Sequence, residues 1–369
     1  MGMRPAAALA GLTFVGLAGC TAASPDAAPS RAAPSSTASA SSTSTAPTSS
    51  ATSSATSSAT PTPTPTPTPT SMATAAPQPA ARPWSPRSLF GRTYDGRALT
   101  VGRETGSTEA YQQFLVTYEG DGLTVSGRMN VPRGTGPFPA VVLAHGYADP
   151  AVYDNSQQMA RERDFLARQG YVTLLVDYRN HAQSSRDPDN DANLRVGYAV
   201  DVVNAALALQ QDARVRPEKI ALMGRSMGGG VVFSALEAKP GLFRAAIAYS
   251  PVSTDSVDNF NQWTVPDASR SDTRDRLVAQ LGTPDGNPAA WAESSPRTYL
   301  SRITEPVLVL HGAADLTCPV EWSQATVTAM QQAGKAVEYA VYTGQPHVFT
   351  SAWAASIERS AEFLTRHLA

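Results

Sequence analysis

Six uninterrupted apolar runs recur along the chain, at 140–144, 171–176, 220–223, 245–249, 307–310 and 337–342. A strand with one wet face alternates polar and apolar residues, so runs this continuous suit parallel strands covered on both faces. Helical spacing fills the gaps between them, at 156–169, 194–211, 227–238, 323–333 and 353–368. Gly170, Pro240-Gly241 and Gly334 follow three of these segments, where glycine tolerates the left-handed turn that ends a helix. The alternation predicts a doubly wound, mostly parallel α/β sheet. Ahead of it, 114–118 and 123–131 flank Glu119-Gly120-Asp121-Gly122 and read as an antiparallel hairpin at a sheet edge. The segment 252–302 breaks the pattern, being long, polar and dotted with Trp263, Trp291 and Tyr299. Insertions after strand ends overlie the crevice of such sheets, so it is expected to form a small helical lid whose three aromatic residues line a substrate pocket.

Composition divides the 369 residues unevenly. The start, MGMRPAAALAGLTFVGLAGC, has a cationic Arg4, a short apolar stretch and small residues, the form of an export signal too short to span a bilayer. Leu17-Ala18-Gly19-Cys20 resembles a bacterial lipobox, so 1–19 is expected to be removed and Cys20 acylated, anchoring the protein to the outer side of the membrane. From 20 to 83 the chain is almost wholly Ala, Ser, Thr and Pro. With so little apolar surface to bury it is expected to be a disordered stalk, leaving 84–369 as one catalytic domain. The formal net charge of −2 argues against a nucleic-acid partner. Of the two cysteines, Cys318 is left without a partner for a disulfide. The five histidines do not cluster at ligand spacings, so neither a metal nor another cofactor is expected.

The chemistry concentrates at strand ends. Gly224-Arg225-Ser226-Met227-Gly228-Gly229 joins a buried strand directly to a helix, the setting of a nucleophile elbow. Gly224 and Gly228 frame the tight turn, Gly229 lets helix and sheet approach, and Ser226 opens a helix N-terminus that favours developing negative charge. A serine needs a base to take its proton, and the base needs a carboxylate to fix its tautomer. His347 lies in the loop after the last strand and Asp315 in the loop after the strand before it. Ser226, Asp315 and His347 therefore follow the chain order that this type of fold uses. His311, ending a strand, reads as a packed residue, and Asp177 as a loop organiser. Two donors are expected for the oxyanion: the Met227 backbone N–H, and either the N–H or the phenol of Tyr147, with His145-Gly146 shaping that turn.

AHGY, GRSMGGG, SPRTYLSRI, PVLVLHGAADLTCPV and VYTGQPHVF together resemble the catalytic domain of the prolyl-oligopeptidase family and its related esterases over 114–369. The resemblance implies an α/β-hydrolase fold and a serine hydrolase acting on an ester or a short-peptide amide through Ser226, Asp315 and His347. It also implies Tyr147 as the oxyanion tyrosine. The segment 84–109 is too short for the propeller that gates the family's large members. An acyltransferase using the same triad, or a surface-displayed binding protein on this fold, are the alternatives.

Overall fold

The apolar runs pair side by side in a single sheet. The computed structural model describes residues 81–369, so the expected export signal, Cys20 and nearly all of the expected stalk lie outside the described residues. In chain order the strands and helices are β1 (Arg97–Ser107), β2 (Tyr111–Gly120), β3 (Leu123–Pro132), β4 (Phe138–Ala144), α1 (Ala160–Arg168), β5 (Val172–Val176), α2 (Gly197–Gln210), β6 (Val215–Arg225), α3 (Met227–Ala238), β7 (Ala246–Tyr249), α4 (Ser256–Asn259), α5 (Ser271–Leu281), α6 (Pro288–Ser294), β8 (Val307–Gly312), α7 (Val320–Gln332), β9 (Val337–Tyr342) and α8 (Trp353–Leu368).

Across the sheet they run β1-β2-β3-β5-β4-β6-β7-β8-β9. Strands β4 to β9 are mutually parallel, and β1 to β3 are antiparallel, with β3 pairing antiparallel to β5. The expected hairpin is β2-β3, but it is not the edge: β1 lies outside it. That strand is mostly exposed, with only Leu99 and Val101 half-buried against the core, so backbone pairing does more than burial to define it.

The parallel strands send alternate side chains to opposite faces. Val142, Leu222 and Val309 pack with Val203 and Leu209 of α2, Phe233 and Leu236 of α3 and Met330 of α7. Leu143, Met223, Ile247 and Leu310 pack on the other side with Leu166 of α1 and Ile357 and Phe363 of α8. Both faces are covered, which is why the strands read as unbroken apolar runs. Burying each such Leu, Ile or Phe contributes about 1.5–3 kcal/mol. After α1 the chain turns at Gly170 with φ +87°, a left-handed conformation that glycine adopts without steric cost.

The insertion between β7 and β8 is helical, holding α4, α5, α6 and short irregular turns. Phe260, Leu277, Leu281 and Trp291 of the insertion form a small core with Trp84 from ahead of β1. This corrects the assignment of Trp291 to a substrate pocket. Only 1% of Trp291 is exposed, its ring lies against Phe260, and its indole N–H donates to Gly282 O at 3.0 Å. Tyr299 is corrected likewise: its hydroxyl donates to Glu293 O and its ring meets Phe90 edge-on. A segment this long without a neighbouring strand must bury aromatic residues of its own, and Trp291 serves that need, while Tyr299 packs half-buried on Phe90. Trp263 differs, meeting Trp322 of α7 edge-on at 5.4 Å, next to the loop that carries Asp315.

One buried group works against the fold. Glu237 in α3 is fully buried and neither carboxyl oxygen has a hydrogen-bond partner. Burial raises its carboxyl well above the ordinary range, opposed only by Arg302. A group whose folded pKa is raised contributes stability that is present below its unfolded pKa and lost as pH rises toward the folded value. Glu237→Met, similar in volume, is therefore expected to raise stability by about 1–3 kcal/mol at pH 8 and by less at pH 5. Thermal or urea denaturation at the two pH values checks this; a variant less stable than wild type at pH 8 would contradict it.

Candidate active site

Strand β4 has β5 on one side and β6 on the other, so the connections leave it in opposite directions and open a crevice at the carboxyl ends of β4 and β6. Ala144 pairs with Gly224 across these two strands, which sets their following loops side by side. One loop is His145-Gly146-Tyr147; the other is Ser226-Met227.

Ser226 has φ +58° and ψ −123°, a conformation that costs a non-glycine residue about 1–3 kcal/mol. Its N–H donates to Tyr249 O at 2.9 Å, and its own carbonyl accepts from Gly229, Gly230 and Val252 N–H, so the strain is held from several sides. Gly228 shows why the helix must be bare here: a Cβ would stand inside the radius of Ala144 O. Met227 is the first residue of α3, so its N–H has no acceptor within the helix. Arg225 faces Glu162 at 3.6 Å, and Glu162 accepts from the Trp353 indole at 3.4 Å, tying the elbow to α1 and α8.

The loops that carry Asp315 and His347 are joined along β8 and β9. Ala313 N–H donates to Tyr342 O and Ala314 N–H to Gln345 O, both at 2.9 Å. His347 Nδ1 then lies 2.7 Å from Asp315 Oδ2. Asp315 Oδ1 accepts from the N–H groups of Thr317 at 2.8 Å and Cys318 at 2.9 Å. His311 adds a further contact, its Nε2 3.2 Å from Asp315 Oδ2 and 2.8 Å from Cys318 O. Two oxygen acceptors at Nε2 fit a proton there, leaving Nδ1 to accept from the Ser323 hydroxyl at 2.6 Å. Burial alone would raise the Asp315 carboxyl, but hydrogen bonds from His311, His347 and Cys318 outweigh it and hold the group well below the ordinary carboxylate range.

Asp315 and His347 thus contact each other in the loops after β8 and β9, and Ser226 stands at the elbow after β6. Among the described residues, Ser226 Oγ makes no hydrogen bond to His347; the buried Cys318 thiol faces it instead. Nucleophile-to-base bonds often tighten only with substrate in place. Burial, followed by the Asp315 charge, pushes the Cys318 thiol far up, so it is protonated at neutral pH.

The loop after β4 is held from beneath. His145 is fully buried, with Nδ1 2.6 Å from Gly146 O and Nε2 3.4 Å from Asp177 O. Burial pushes its pKa down to about 3, so it is neutral. Asp177 accepts from Ser126 at 2.6 Å, Tyr153 at 2.8 Å and Asn155 at 3.1 Å, organising the surrounding loops. A Cβ on Gly146 would lie 3.2 Å from that of Ser226. Tyr147, next along, is 53% exposed.

A family model described as the prolyl oligopeptidase family matches residues 156–369. The chain belongs to the prolyl oligopeptidase family. Among curated relatives of this family chain, dipeptidyl aminopeptidase BIII of Pseudoxanthomonas mexicana is 26% identical over 225 residues, 60% of this chain and 32% of that protein. An uncharacterized peptidase of Bacillus subtilis, YtmA, is 25% identical over 241 residues, 64% of this chain and 86% of that one. Among solved structures, acetyl xylan esterase 1 from Thermoanaerobacterium superposes with a TM-score of 0.57 at 17% identity, covering 74% of this chain and 89% of the esterase. The fold is that of the α/β-hydrolases. This family member spans 32% and 27% of the first two curated relatives, the second being acylamino-acid-releasing enzyme 1 of rice.

Sequence reasoning about this prolyl oligopeptidase family chain missed four residues near the site. Gln345 is buried, and its Oε1 accepts from Thr350 and Ala352 N–H, shaping the His347 loop. His311 was placed as a packed residue without its link to Asp315. Arg195 and Arg270 approach Tyr147 from distant segments. Gln345 and His311 stand close in sequence to the residues they support, which is the one signal that could have marked them.

Proposed function

We propose that the protein is a serine hydrolase that cleaves an ester, or an amide of a short peptide, through an acyl-enzyme on Ser226. The observation that carries this reading is the 2.7 Å contact between His347 Nδ1 and Asp315 Oδ2 beside the strained Ser226 elbow. Asp315 keeps the His347 proton on Nδ1, leaving Nε2 free to take the Ser226 proton as Oγ attacks the carbonyl carbon. The Met227 N–H and Tyr147, through its N–H or its phenol, receive the charge on the carbonyl oxygen. His347 then protonates the leaving group, and water attacks the acyl-enzyme by the same route in reverse. No cofactor enters these steps.

The proposal includes the domain plan and location: 1–19 as an export signal, Cys20 as the acylated residue on the outer membrane surface, 20–83 as a stalk, and 84–369 as the catalytic domain. The lipobox-like Leu17-Ala18-Gly19-Cys20 supports it. Mass spectrometry of membrane-associated protein treated with a fluorophosphonate tests both parts. The expected result is probe mass on the Ser226 peptide, lost in Ser226→Ala, together with lipid mass on Cys20. Equal labelling of the variant would refute the nucleophile, and an unmodified mature Cys20 would refute the anchor.

A further inference from the structure

The crevice mouth carries two arginines that the hydrolytic steps leave unused. Arg195 precedes α2, and Arg270 comes from the insertion, ahead of α5. Both guanidinium carbons lie 5.0 Å from the Tyr147 ring centroid, so they are no further apart than twice that distance. Arg195 Nη1 also lies 3.8 Å from the Met227 sulfur. Arg195 therefore touches both residues proposed to hold the oxyanion, and Arg270 touches one of them, Tyr147.

Each arginine meets a carboxylate through Nε. Arg195 Nε donates to Asp191 at 2.9 Å, and Arg270 Nε lies 3.2 Å from Asp267. Among the described residues, no terminal nitrogen of either guanidinium makes a hydrogen bond to oxygen. Both side chains remain about a quarter exposed, at 27% and 26%. Arg195 is held in place at a cost, since Leu194 and Arg195 both have positive φ, +51° and +59°. Leu194 packs against the insertion's core, which couples this strained turn to the segment that carries Arg270. The cationic field is felt nearby: burial would raise the Asp191 carboxyl, but Arg195, Arg270 and Arg276 hold it down.

We propose that Arg195 and Arg270, arranged around the exposed Tyr147 ring, bind a carboxylate that the substrate carries close to its scissile carbonyl. This rests on the serine-hydrolase reading of the same site. Terminal guanidinium nitrogens present parallel N–H groups that match a carboxylate in pairs, and Tyr147 spaces the two forks while its own face is shielded by them. A neutral ester leaves both forks with water alone; an acidic substrate fills them. The carboxylate belongs either to a dicarboxylic acyl group or to a C-terminal amino-acid leaving group, since both place it near the reacting carbon.

Two matched substrate pairs distinguish these sources, assayed with the full chain. p-Nitrophenyl hemisuccinate against p-nitrophenyl butyrate reads the acyl side, and N-acetyl-alanyl-alanine against its C-terminal amide reads the leaving side. The acid-over-neutral ratio of kcat/KM is expected to exceed unity in one pair and to fall about 10- to 100-fold in Arg270→Gln and Arg195→Gln. Arg270 lies in the insertion rather than in the strained turn before α2, so its variant keeps the test valid should Arg195→Gln fail to fold. The same ratio should fall with added salt. If acidic and neutral substrates lose activity equally, the arginines serve the oxyanion or the fold and the proposal is overturned. Calorimetric binding of N-acetyl-alanyl-alanine, succinate and the amide to the Ser226→Ala protein needs no turnover. A carboxylate preference there, lost with Arg270→Gln, supports the subsite even if wild type hydrolyses nothing, an outcome that would sink the hydrolase reading alone. No preference in binding, beside an active wild type, would sink the subsite alone.

Discussion

Ser226→Ala is expected to lower kcat for a p-nitrophenyl ester by roughly 10⁵- to 10⁶-fold, leaving only the acceleration supplied by the oxyanion donors and by substrate binding. The triad acts as a unit, so His347→Ala should lose nearly as much and the double variant little more. Backbone geometry adds a second readout. Alanine keeps a Cβ and so keeps the strain of φ +58° at this position, whereas glycine releases it. Ser226→Gly should thus be equally inactive but more stable than Ser226→Ala by about 1 kcal/mol. Steady-state kinetics of wild type and the four variants, with thermal melts of Ser226→Ala and Ser226→Gly, check both. An alanine variant within tenfold of wild type would mean that another group forms the acyl-enzyme.

What the sequence made readable follows from where each signal is stored. The parallel strands were visible because burial on both faces demands unbroken apolar runs, and α3 and α8 began and ended where their spacing placed them, at Met227–Ala238 and Trp353–Leu368. The start of α1 was not. Asp154 accepts from the Ser156 N–H and hydroxyl, forming a local turn that delays the helix to Ala160. Strand β6 begins five residues before its apolar run, because Val215 pairs with Phe138 at the exposed end of the sheet. Spacing cannot tell an aromatic residue that lines a site from one that fills a local core, and Trp291 and Tyr299 went astray for that reason. The positions of Ser226, Asp315 and His347 after β6, β8 and β9 were legible because each follows an unbroken apolar run. Arg195 and Arg270 were not: their meeting at Tyr147 depends on how the insertion folds back, which no local pattern records. The pairing of Arg225 with Glu162 on α1 is another contact that no local pattern records.

Asp315→Asn is expected to reduce kcat about 10⁴-fold near neutral pH while changing KM little. The carboxylate has no spare acceptor: Oδ1 takes two backbone N–H groups, and Oδ2 faces His347 Nδ1 and His311 Nε2. The two N–H donors fix the amide oxygen of asparagine at the Oδ1 position, which leaves its NH₂ facing both histidines. His347 must then turn Nδ1 into an acceptor and carry its proton on Nε2, where it blocks removal of the Ser226 proton. Stability shifts in the same direction. A carboxylate held below its ordinary range contributes stability present above its unfolded pKa and lost as pH falls, so the variant should be destabilised at pH 7 and approach wild type in acid. For the same reason Asp315 stays ionised throughout the usual assay range and does not set the acid limb of the wild-type rate profile. Kinetics measured from pH 5 to 8 and denaturation measured from pH 2 to 8 test these outcomes together. A variant within tenfold of wild-type activity but unstable at pH 7 would make the 2.7 Å contact a brace between two loops rather than the device that orients the base.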